Sequence, residues 1–186
     1  VTRQVFEFQQ PDRFVVGTVG MPGERTFFLQ ARAGNQVTSV VVEKSQVSVL
    51  GERLDQLLDE VRDTRTPNVH IPDEGDRIDN APLDLPIAEE FRVGAMALGW
   101  DEASSRVVIE AHAVSEDELA IPDIADDVEE GVDTLRIWLT PVMARSFAAR
   151  TRSVVGAGRP PCPFCTQPLD PAGHICPRAN GYRRRA

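Results

Sequence analysis

Residues 26–44 read Thr26-Phe-Phe-Leu-Gln-Ala-Arg-Ala-Gly-Asn-Gln-Val-Thr-Ser-Val-Val-Val-Glu-Lys44, and this stretch decides the fold class. Two runs rich in Phe, Val and Thr, Thr26–Ala33 and Val37–Glu43, flank Gly34-Asn35, a dipeptide that accepts the positive φ of a tight hairpin. Behind the second run the period changes. Val47, Leu50, Leu54, Leu57, Leu58 and Val61 fall on one face at spacings of three or four, so Lys44 to Arg62 reads as an amphipathic helix with Ser45 as its N-cap. Strand, strand, helix in direct succession predicts an α+β domain.

Toward the N-terminus, Gln4–Gln9 and Phe14–Val19 add two strands, bounded by turns at Pro11-Asp12 and Gly20-Met21-Pro22-Gly23. The short spacing predicts consecutive antiparallel pairing of all four. Toward the C-terminus, a polar, Pro-containing stretch from Asp63 to Pro86 crosses to a second set of strands: Phe91–Trp100, Val107–Val114 and, after an acidic insertion from Ser115 to Asp133, Thr134–Leu139. A helix follows from Pro141 to about Val154, with Thr140 as N-cap and Pro141 at the favoured first position. The order of elements predicts a duplicated α+β domain over residues 1–158. Its halves, about 1–65 and 87–156, are each an antiparallel meander plus a helix, and the two sheets are expected to pack together. This order resembles the repeats of PUR and Whirly-like single-strand nucleic-acid binders, a likeness of fold only.

Charge divides the chain near residue 158. Residues 1–158 hold 15 basic against 28 acidic side chains, whereas 159–186 hold five arginines against Asp170. Such an acidic body repels phosphate backbones, and a basic tail attracts them. Phe6, Phe8, Phe14, Phe27, Phe28, Phe91, Trp100 and Trp138 lie in the acidic body and read as core or sheet packing. Residues 115–133 read as a solvated loop, with a cation or the basic tail as alternative occupants. No run reaches the roughly 18 apolar residues of a membrane span.

The tail carries the chemistry. All three cysteines fall within residues 162–176, and Cys162, Cys165, His174 and Cys176 follow the spacing C-x2-C-x8-H-x-C. An odd count argues against a closed disulfide framework and suits a reducing compartment, hence a cytoplasmic protein. A Cys-x-x-Cys turn offers two thiolates to one ion, and His174 and Cys176, two apart in an extended segment, project to one side. Four protein donors predict one structural Zn2+ with no open position for catalysis, in a zinc knuckle over 159–186. A redox dithiol would need a helix start in a thioredoxin-like context, and Pro160, Pro161 and Pro163 surround this pair instead. Thr166 stands where a rubredoxin-type knuckle usually has Gly. Arg178, Tyr182, Arg183, Arg184 and Arg185 are the candidate partner contacts.

His70 and His112 stand at no recognisable catalytic spacing and read as ordinary polar positions. G-x-S-x-G, Walker A, H-E-x-x-H and G-x-G-x-x-G motifs do not occur in the sequence. Four segments together carry a likeness to a known family: 11–20 (Pro-Asp-Arg-Phe-Val-Val-Gly-Thr-Val-Gly), 27–31 (Phe-Phe-Leu-Gln-Ala), 42–47 (Val-Glu-Lys-Ser-Gln-Val), and 159–181, with its Pro-Cys-Pro-Phe-Cys and Gly-His-Ile-Cys-Pro-Arg-Ala-Asn-Gly. In these the chain resembles the DUF3090 family of uncharacterised proteins. The resemblance implies an actinobacterial, cytoplasmic protein, often encoded near a histidine-phosphatase-like and a lipid-kinase-like protein, and supplies no activity. The expectation is a non-enzymatic, zinc-containing interaction or scaffold protein with a protein partner. Nucleic-acid binding through the basic tail is the first alternative. An accessory enzyme acting on a phosphorylated small molecule, suggested by the encoded company alone, is the second.

Overall fold

The Gly34-Asn35 hairpin forms as its sequence predicts: Ala33 pairs with Gln36, and Gly34 takes φ 57° at the turn. The computed structural model describes residues 3–64, 69–75, 78–115, 124, 131–158, 161–167, 169 and 174–178. Within them the elements run β1 (Val5–Phe8), β2 (Arg13–Val19), β3 (Thr26–Ala33), β4 (Gln36–Val42), α1 (Lys44–Thr64), β5 (Glu89–Asp101), β6 (Arg106–Ala113), β7 (Thr134–Leu139) and α2 (Pro141–Gly156). Thr140 caps α2 by accepting from the Met143 N–H at 3.3 Å. Ser45 does not cap α1. It lies inside the first turn, and the Gln46 side chain reaches back to the Glu43 N–H at 2.8 Å, one half of a capping box.

Two expectations about the sheet require correction. The strands form one seven-stranded sheet, in the order β1-β7-β6-β5-β4-β3-β2, where two packed sheets were expected. β1 does not join a four-stranded meander with β2; it lies at the far edge, parallel to β7. The physical reason for the single sheet is the crossover. α1 returns the chain so that β5 pairs in parallel with β4, which joins the two three-stranded meanders side by side. The strands on either side of central β5 show the consequence, for Thr38 to Val42 of β4 and Val107 to His112 of β6 are buried on both faces.

Placing β1 and β2 at opposite edges imposes curvature. Six gaps of about 4.8 Å would set them roughly 29 Å apart in a flat sheet. The five Cα steps from Phe8 to Arg13 span at most about 18 Å. The sheet therefore curls, and β1 comes into contact with β3. Helix α2 packs on β2 at one edge and on β6 and β7 near the other, and it packs lengthwise on α1. The concave side holds the core: Phe8, Val16, Leu29, Val40, Ile109, Ile137 and Leu139 from the sheet meet Leu54 and Leu58 of α1 and Phe147 of α2. Phe14 stacks on Phe147 with centroids 4.6 Å apart. On the convex side Leu83 covers Val15, Phe28 and Val41, and it sits where Gly17 lacks a side chain.

The described residues between α1 and β5, 69–75 and 78–88, lie outside helices and strands and are held by side chains. Arg13 donates to Asp79 and Asp84 at 2.5 and 2.9 Å and to the Ala81 carbonyl at 2.9 Å. Gln30 accepts from the Asp84 N–H and donates to its carbonyl. From α2, buried Arg145 binds the Pro72 carbonyl and Asp55, while buried Arg150 binds the carbonyls of Val16 and Asp79. The Asp79 carboxyl is held below its usual range chiefly by the hydrogen bond from Arg13.

The two helices meet at Gly51, where an added Cβ would stand 2.9 Å from Thr151 Cγ2. Gly51→Val is expected to destabilise the fold by about 1–3 kcal/mol through overpacking, measured by urea unfolding. Thr151→Ala, which removes the opposing methyl, should recover a large part of that loss in the double mutant.

Candidate metal centre

A short run of local bonds builds the knuckle. The Thr166 N–H donates to the Cys162 carbonyl at 2.9 Å, and the Cys162 N–H donates to the Gln167 carbonyl at 2.8 Å, so the chain turns back on itself around Cys162. The Phe164 N–H points at Cys162 Sγ, 3.4 Å away. Desolvation disfavours the Cys162 thiolate, but the N–H groups of Cys165 and Phe164 reverse that effect and hold the thiol below its ordinary range. The turn demands a left-handed residue, and Thr166 supplies it at φ 63°. A β-branched side chain is strained there, which explains why glycine suits this position better.

Against this turn the segment 174–176 brings the second pair of donors. The ligand atoms of Cys162, Cys165, His174 and Cys176 all lie within 4.8 Å of one another and could hold a metal ion. Cys162 Sγ is 3.8 Å from Cys176 Sγ, and Cys165 Sγ is 3.2 Å from His174 Nε2. The first distance is far too long for a disulfide and matches the edge of about 3.8 Å in a tetrahedron with metal–sulfur bonds of about 2.3 Å. Three thiols and one imidazole form a soft donor set suited to a tetrahedral ion. All four residues singled out by spacing are thus brought together.

The knuckle is inverted relative to a hydrophobic core. Cys162 and Cys176 are buried, whereas Phe164 is 60% and Ile175 82% exposed. Arg178 folds back to donate to the Phe164 carbonyl at 3.3 Å, so one predicted partner contact also braces the turn. Tyr182, Arg183, Arg184 and Arg185 lie outside the described residues, as do 116–123 and 125–130 of the acidic insertion. His70 is exposed, as an ordinary polar position would be.

His112 is a different matter, for its spacing gave no hint of its surroundings. It is fully buried on β6, with Nδ1 3.0 Å from Thr134 Oγ1 and Nε2 3.4 Å from Glu110 Oε2. Thr134 Oγ1 also lies 3.1 Å from the Val132 carbonyl oxygen and accepts from Arg3. Arg136 holds Glu110 at 2.5 Å and lies over Trp138. These groups sit on neighbouring strands in register, Glu110 opposite Arg136 and His112 opposite Thr134. The sequence signal, in hindsight, is charge at alternate positions of two paired strands. Burial pushes the His112 pKa down, Glu110 pulls it back, and Arg3 and Arg136 push it down again.

With this geometry in hand, the family model described as "Protein of unknown function (DUF3090)" matches residues 6–176. The chain belongs to the DUF3090 family. The matched span takes in all four donors of this DUF3090 chain and stops before Arg178, Tyr182 and the arginine run. No curated protein and no solved structure matches it, so the likeness to PUR and Whirly-like folds gains no support. Among the described residues, no helix is long and apolar enough to cross a membrane.

Two measurements follow from these sites. Thr166→Gly should relieve the strain at φ 63° and tighten metal binding about fivefold, roughly 1 kcal/mol, in competition with a chromophoric chelator. For His112, a folded pKa below the ordinary 6.5 means that the unfolded chain binds more protons just below that value. Its contribution is present above about pH 6.5 and is lost as pH falls below it, by at most about 1.4 kcal/mol per unit. Urea unfolding at pH 7.5 and 5.5 should show a steeper acid loss for the wild type than for His112→Gln.

Proposed function

We propose that this DUF3090 protein is a non-enzymatic interaction or scaffold protein that carries one structural Zn2+ and docks a protein partner through its knuckle. The carrying observation is a compact set of four donors on which Phe164 and Ile175, two large apolar side chains, stand exposed. Exposed apolar groups on a metal-stapled turn form a small rigid contact surface. Zinc is favoured by the ligand set of three thiolates and one imidazole, and four protein ligands leave no coordination position for a substrate. Three free thiols support a cytoplasmic, reducing location.

In this reading residues 1–158 are the scaffold and 159–186 a separately stabilised tail. The recurring order β2-β3-β4-α1 and β5-β6-β7-α2 supports an origin of the scaffold by duplication of halves near 1–65 and 87–156. So short a tail buries too little apolar surface to fold unaided, and the ion supplies most of its stability. Arg178, Arg183, Arg184 and Arg185 give the tail positive charge in sequence, with Tyr182 among them as a further candidate contact. The same charge supports the second reading, contact with nucleic acid, which salt dependence distinguishes from protein docking.

Elemental analysis should return one zinc per chain. Chelation should expose the tail to proteolysis while the body resists; an unchanged digestion pattern would sink the structural-zinc reading. Affinity capture from native extract should recover a protein with the wild type and lose it with Phe164→Ala/Ile175→Ala. Retention by the double variant, or capture abolished by nuclease, would reject docking through the knuckle.

A further inference from the structure

Between the β2–β3 turn and the start of α1 the structure opens a cavity of about 360 Å3, lined by Gly23, Arg25, Phe27, Lys44, Val155 and Gly158. Its volume lies at the lower end of the roughly 300–1,000 Å3 typical of small-molecule sites. We propose that this cavity binds a small phosphate monoester, with the phosphate between Arg25 and Lys44 and the organic part on Phe27 and Val155.

The first support is the state of the two cations. Seven guanidinium groups of the body, on Arg13, Arg32, Arg62, Arg136, Arg145, Arg150 and Arg152, stand in ion pairs, whereas exposed Arg53 and Arg92 form none with described residues. Arg25 and Lys44 form no ion pair or side-chain hydrogen bond with any described residue, although the chain carries a net charge of −9. Their acidic neighbours in sequence, Glu24 and Glu43, do not line the cavity. Two positive charges that line one cavity from different elements, neither paired with a described residue, suit a dianion, and a guanidinium with an ammonium offers planar paired donors together with a point charge.

The second support is the way the walls are built. Arg25 leaves a closed turn in which the Glu24 N–H donates to the Met21 carbonyl at 2.9 Å. Gly20 at φ 103° allows the turn, and any Cβ there would strike the Glu24 carbonyl oxygen at 2.8 Å. Phe27, 8% exposed and rooted in the core, provides an apolar floor. Gly158 lines the wall next to Lys44, where a Cβ would stand 3.7 Å from Lys44 Nζ, in ordinary contact. Lys44 is also the only lysine among the 186 residues, beside nineteen arginines.

That singularity provides the test. Reductive 13C-methylation of the full chain with its metal retained gives one lysine side-chain resonance, distinct from the N-terminal amine, and leaves the charge in place. Titration with phenyl phosphate should move this resonance saturably, with half-saturation in the millimolar range or below. Inorganic phosphate should bind at least several-fold more weakly, and phenol should leave the signal unmoved. Arg25→Gln should weaken phenyl phosphate binding at least tenfold. Arg92→Gln, which removes an exposed arginine outside the cavity, should leave it unchanged. Thermal melts that match the wild type will show that both variants fold. A linear, non-saturating shift, equal effects of the two substitutions, or inorganic phosphate binding as tightly as the monoester would each overturn the proposal.

Discussion

The fold depends on guanidinium groups that replace backbone pairing where the chain leaves regular structure. Arg150, 5% exposed, reaches from α2 to the Val16 carbonyl on edge strand β2 and to the Asp79 carbonyl in the connecting segment. One side chain thereby joins the second helix, the first half of the sheet and the crossing between them. Buried carbonyls without a partner cost free energy, and a charged donor satisfies them more strongly than a neutral one. β2 is an edge strand, and this bond ties it to α2. Arg145 and Arg13 repeat the arrangement on either side. Loss of any one of these groups leaves buried carbonyls or carboxylates without their counterpart, the more costly half of a broken pair.

That fastening is needed because the sheet is curled. A flat sheet could be covered by helices on both faces, but here both helices pack together and α2 bridges toward both edges from inside. The convex face of β2 to β4 then requires a separate cover, which Leu83 supplies. The opposite half solves the same problem with polar groups, since Glu110, His112, Thr134 and Arg136 lie buried on the face of β6 and β7 that looks away from the core cluster. A repeated order of elements thus covers its outer face in two different ways.

Much of this was legible in the sequence and some of it was not, for identifiable reasons. Strand Thr26–Ala33 and strand Thr134–Leu139 have the bounds that β-branched runs and turn residues predict, and α1 and α2 begin where periodicity and the Thr140 cap place them. The single sheet was obscured because local patterning fixes which residues form a strand and says little about which strands become neighbours. Val40-Val41-Val42 did carry a clue, since an uninterrupted apolar run belongs to a strand covered on both faces. The position of β1 was hidden because a four-residue link ordinarily means a hairpin, and only the curl of the sheet allows another outcome. At the metal centre the four donors were readable because ligand spacing is local. His112 was not, because its hydrogen-bond partner Thr134 stands 22 residues away across a strand pair.

The distribution of charge separates the two candidate surfaces. Most guanidinium groups described in the body are committed to its own carboxylates and carbonyls, so the net charge of −9 is expressed mainly by exposed acids. At physiological ionic strength such a field fades over about 8 Å, and recognition at either surface is therefore decided by contact. At the knuckle the contact available is apolar, Phe164 and Ile175, with Arg178 turned inward onto the Phe164 carbonyl. At the cavity beside α1 it is two uncommitted cations above an aromatic floor. The first surface lacks depth and suits a macromolecule; the second is concave and suits a small anion. They are close along the chain, for Gly158, a wall of the cavity, lies only four residues before Cys162.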